Sequence, residues 1–213
     1  MTAARSRRRT PAWIVAAFAS AACISAATET HATTLRKMDL PELVSSADRV
    51  VHARVTGSTV AWNEEHTLIY TDTTLEVLAE AKGTGPASMI VRTLGGRIDP
   101  FELREEGTPI FMQGEEVVLF TLEGPEERAL LVGFCQGVMR VQPEPQTGDL
   151  YALSEVPLGV EFVMGPQLTE VRPSPLRARL DTLMDEVRRM TAGGPAGPVL
   201  STTPATDPEG GTP

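Results

Sequence analysis

The sequence predicts a mainly β fold, a small antiparallel barrel of the OB type, with a short helix before it and an amphipathic helix after it. Three observations point there. Short apolar runs recur between Gly- and Pro-bearing turns, no helical segments alternate with them, and the only extended 3.6-residue period lies near the C-terminus. Alternating helices would have implied a parallel sheet instead.

The first element is a short helix over residues 40–47. Asp39 is placed to cap it, Pro41 falls in the first turn, where a missing N–H costs nothing, and Leu40, Leu43, Val44 and Ala47 share a face. A strand follows directly, with Val51, Ala53 and Val55 alternating against His52, Arg54 and Thr56. In "TLIYTDTTLEVLAEAKG" the alternation is longest: Ile69, Thr71, Thr73, Leu75, Val77 and Ala79 face one way, Tyr70, Asp72, Thr74, Glu76 and Glu80 the other. That length predicts a bend. "ASMIVRTLGG", "FMQGEEVVLFTLEG", "RALLVGFCQGVMRV" and "DLYALSE" continue the pattern, giving five or six strands and a domain spanning 33–165. A linker and helix take up 166–191. Ser174 is the expected N-cap, Pro175 the first helical residue, and Leu176, Leu180, Leu183, Val187 and Met190 form the apolar stripe, with docking on the barrel expected. Residues 192–213, rich in Pro, Gly and Thr, are expected to form a disordered tail.

The beginning of the chain reads as an address. Arg5, Arg7, Arg8 and Arg9 precede the uncharged run Ala12 to Ala27, and Thr30-His31-Ala32 offers small residues where a signal peptidase cuts. Residues 1–32 are therefore expected to be a signal peptide cleaved near Ala32, directing the protein to the periplasm or medium. "SAAC" before Cys23 leaves open a lipid-anchored envelope protein, although Ser20 stands where such sites carry a large aliphatic residue. Cleavage would remove four arginines and one glutamate from a chain of formal charge −9, leaving −12. A surface so acidic repels phosphate backbones, so nucleic acid is not an expected partner, and the Ala-rich run is too short for a membrane span.

Chemistry is sparse. Gly133-Phe134-Cys135-Gln136-Gly137 has the spacing of a hydrolase elbow, which makes a hydrolase using Cys135 one alternative. Such an elbow needs a strand-turn-helix context and an oriented histidine, whereas "VMRV" continues as a strand and His52 and His66 sit in no motif. Cys135 thus reads as a small buried residue, and its glycines as a bulge or barrel corner. His66, with Glu64 and Glu65, reads as a hairpin tip rather than a metal site, and the pairs Glu105-Glu106, Glu115-Glu116 and Glu126-Glu127 read as surface and turn residues. No catalytic residue, cofactor site or metal site is expected.

"LVSSADRVVHARV", "YTDTTLEVLAEAKG", "VRTLGG", "GTPIFMQGEEVVLF" and "VGFCQGVMRV" together resemble a group of secreted bacterial proteins similar to the netrin-like module of tissue inhibitors of metalloproteinases. The resemblance covers about half the chain, Leu43 to Val141, and implies an OB-type barrel and a non-enzymatic binding or interaction module. It also implies a secreted metalloprotease or other envelope protein as partner. The metal-chelating N-terminal cysteine of the animal inhibitors has no counterpart near Thr33, so that mechanism transfers to no residue here.

Overall fold

The structure is a computed structural model that describes residues 33–194. The expected signal peptide, Cys23 and residues 195–213 of the expected tail lie outside the described residues.

β1 (Thr33–Arg36) is followed by α1 (Leu40–Ser46), which starts where the sequence places it. Asp39 accepts from the Glu42 backbone at 2.8 Å while Glu42 reaches back to the Asp39 N–H, a reciprocal capping box. β2 (Arg49–Trp62) and β3 (Ile69–Lys82) form a long antiparallel hairpin with register shifts at Val50/Val51, His52/Ala53 and Val55/Gly57, which supply the bend that its length calls for. β4 (Ser88–Leu94) completes the meander, and β5 (Gly96–Ile98) and β6 (Phe101–Leu103) make a small hairpin of their own.

β7 (Glu116–Glu123) returns alongside β2, pairing Arg49↔Thr121 through Arg54↔Glu116. β8 (Arg128–Leu131) pairs in parallel with β4 through Ile90↔Arg128 and Val91↔Ala129, and antiparallel with β7 through Thr121↔Leu131 to Glu123↔Ala129. Pairing can thus be followed from β7 through β2, β3, β4 and β8 back to β7. β9 (Val138–Pro143), β10 (Leu150–Ser154) and β13 (Arg177–Arg179) extend the sheet on the far side of β7. β11 (Val160–Met164) and β12 (Thr169–Val171) form a separate sheet with β1.

The C-terminal helix, α2 (Leu180–Thr191), begins later than its sequence signals suggest. Residues 177–179 are a strand against β10, Ser154↔Leu176 backbone bonding continues the ladder, and Arg179 stands at the N-cap without a side-chain cap. Sheet pairing overrides the Ser-Pro start signal. Leu180, Leu183, Met184 and Val187 are buried, so the helix is docked.

Two apolar clusters share the sheet. One lies between the strands: Val51, Ala53, Val55, Leu75, Val91, Val117 and Leu119. The other lies between sheet and helices: Val50, Val118, Phe120 and Met139 against Leu43, Val44, Leu183 and Val187. Alternate residues of β2 and β7 therefore feed opposite cores, which is why "EVVLFT" is apolar on both faces.

Candidate functional site

Cys135 lies in a single 3-10 turn, Phe134–Gly137, joining β8 to β9, so the glycine pair sits between strands rather than at a strand-to-helix elbow. Each glycine is fixed by packing. Gly133 has φ +59°, and a Cβ there would meet Met38 Sδ at 2.7 Å; a Cβ on Gly137 would meet the Val132 and Phe120 carbonyl oxygens at 2.5 and 2.9 Å. Cys135 is 6% exposed, and burial pushes its thiol up to about 11, which keeps it protonated at neutral pH. It borders a shallow depression of about 540 Å³ between residues 107–110 and 154–157.

Gln136, which sequence reasoning passed over, has a defined task. Its Oε1 accepts from the Met38 N–H at 2.8 Å, and its Nε2 donates to the Arg36 carbonyl at 3.0 Å. One side chain therefore satisfies the backbone leaving β1. No local pattern signals it, because the partners are about a hundred residues away.

Among the described residues, His52 and His66 each have partners of their own outside this turn. His52 is 8% exposed and its Nε2 lies 2.9 Å from Glu116 Oε2; Arg54 donates to Glu116 Oε1 at 2.7 Å. The Arg54 guanidinium, aided by His52, holds the Glu116 carboxyl below the usual range. His66 occupies the β2–β3 loop with φ +55°, stacking on Trp62 at 6.2 Å between ring centroids. Asn63 Oδ1 in the same loop accepts from the Thr67 and Leu68 N–H groups. Among the described residues, no group of three His, Cys, Asp or Glu side chains could hold a metal ion.

The acid pairs divide. Glu115 and Glu155 both engage Arg140, the latter at 2.8 Å, and Glu126 accepts from Arg128 at 2.8 Å, while Glu105, Glu106 and Glu127 are exposed. A more consequential carboxylate is Asp72 on β3. Its Oδ1 accepts from Arg92 Nε at 2.7 Å, and its Oδ2 from Arg92 Nη2 at 2.9 Å and Arg128 Nε at 2.7 Å, so β3, β4 and β8 are clasped where β4 and β8 pair. Arg92 foremost, then Arg128, lowers the Asp72 carboxyl against the opposing effect of burial.

Large apolar side chains are exposed on two adjoining loops. Ile110 is 73% exposed and Leu158 92%, with Val156 at 40%; Ile110 and Val156 line the same depression beside Cys135. No protein-family model matches the chain, and no curated protein does either.

Proposed function

We propose that the protein is a secreted, non-enzymatic interaction module on an OB-like barrel of the netrin-like kind, with a secreted metalloprotease as its partner. The strand circuit supports the barrel: three meandering strands, a fifth parallel to the third, and a fourth that pairs with both the first and the fifth make a five-membered Greek-key arrangement. The exposure of Ile110, Val156 and Leu158 on adjoining loops carries the functional reading, since apolar groups of this size facing water beside a polar rim mark recognition surfaces. A buried, protonated Cys135 thiol favours this reading over the hydrolase.

The test is co-elution with metalloproteases purified from the medium of the same cells. The wild-type chain and Cys135→Ala are expected to form a complex, and Ile110→Asp combined with Leu158→Asp to lose it. Absence of association, or thiol-dependent turnover of an ester or peptide by the chain itself, would refute the proposal.

A further inference from the structure

β2 is fourteen residues long, but β7 pairs with it only as far as Arg54. One further contact, Val55 with Gly114 and Glu115, ends that side. From Gly57 to Trp62 the strand is paired with β3 alone, and among the described residues no backbone partner stands on its other edge. That edge, "GSTVAW", has no charge and no proline, and Ser58, Thr59, Val60 and Ala61 are all exposed. Other free edges are short and charged: β13 bears Arg177 and Arg179, β12 Glu170, β6 Glu102 and β1 Arg36. Charges on an edge discourage pairing with another chain. Among the described residues, β5 bears Arg97 and the unpaired end of β3 bears Glu80 and Lys82, whereas the β2 edge bears no charge.

We propose that Gly57–Trp62 is a strand-addition site whose occupant is the same segment of a second copy, paired antiparallel about a twofold axis near Thr59 and Val60. An uncharged strand sets no like charges opposite one another when it meets itself, whereas β13 would oppose arginines. The two ends of the edge are also complementary under such an axis. At one end Met112, 68% exposed, sits beside Val55 through the Gly114 and Glu115 backbone bonds. At the other, Trp62 packs on Phe101, which is 58% exposed, next to Leu68 at 37%. Antiparallel pairing brings each copy's Met112 end to the other's aromatic end, and turns the Arg54 end of one strand toward Glu64 and Glu65 of the other. The result is a continuous sheet across the axis, an isologous contact.

Sedimentation equilibrium on the chain purified from the compartment where it accumulates is expected to give twice the mass of one chain. Thr59→Lys sets two like charges beside the axis, and should weaken the dimer by about tenfold or more at low salt, with partial recovery at high salt. Thr59→Glu should do the same alone, and a mixture of the two variants should dimerise again. Thr59 pairs with Asp72, so if the glutamate form melts early, the lysine form and its salt recovery decide the matter. A wild-type monomer at the highest soluble concentration, a dimer indifferent to Thr59→Lys, or a monomer that instead takes up an unrelated extended peptide would each overturn the proposal. It stands apart from the protease reading: a dimer that binds no protease leaves this proposal standing and removes that one.

Discussion

Gly137 and Cys135 are two residues apart and should respond oppositely to the same mutation. Gly137→Ala drives a methyl group against two backbone oxygens that cannot move aside, and is expected to cost about 2 kcal/mol in chemical denaturation. Cys135→Ala removes a small buried side chain and should cost about 1 kcal/mol, with the native thiol slow toward iodoacetamide at neutral pH. Rapid labelling would contradict the burial. Asp72→Asn removes the charge that two guanidinium groups share, for an expected loss of about 2 kcal/mol. Because the folded carboxyl lies below its unfolded value, the Asp72 contribution is present at neutral pH and lost as pH falls through and below the ordinary carboxylate range near about 4. The melting temperature of wild type should therefore fall toward that of Asp72→Asn on acidification.

At the scale of elements, the docked helix gives the plainest forecast. Leu183 is fully buried between α2 and the sheet, so Leu183→Ala should cost about 3 kcal/mol, read from the urea midpoint. A free helix would show almost no change. Which elements exist was largely legible in the sequence, because Leu43, Val44, Val51, Val55, Leu75 and Leu183 declare their buried faces by local period. What was not legible depends on distant partners. Arg177 to Arg179 carry helical signals yet join β10, and the sequence leaves open whether Gly133 and Gly137 lie within one strand or between two, which the turn between β8 and β9 answers. His52 looks like a solvent-facing residue by alternation, and is buried because α2 lies over that side of β2.

For the molecule as a whole, the mature form is expected to begin near Thr33, which intact-mass measurement on exported protein checks; a diacylglycerol-modified Cys23 would favour the envelope-anchored alternative instead. The candidate surface was the least legible feature of all. Ile110, Val156 and Leu158 lie in stretches without periodicity, and only the fold brings their loops together. β1 bears on how such a chain comes to be whole. Its parallel partner is β11, Thr33 opposite Val160, and the amide of Gln136 holds the backbone just after it. A polypeptide emerging from its amino end thus presents β1 early and completes it late, since the residues that secure it must first follow. β1 remains an unfastened thread until Val160 to Val163 have arrived, so among the described residues the strand that stands earliest in the chain is among the last to be drawn tight.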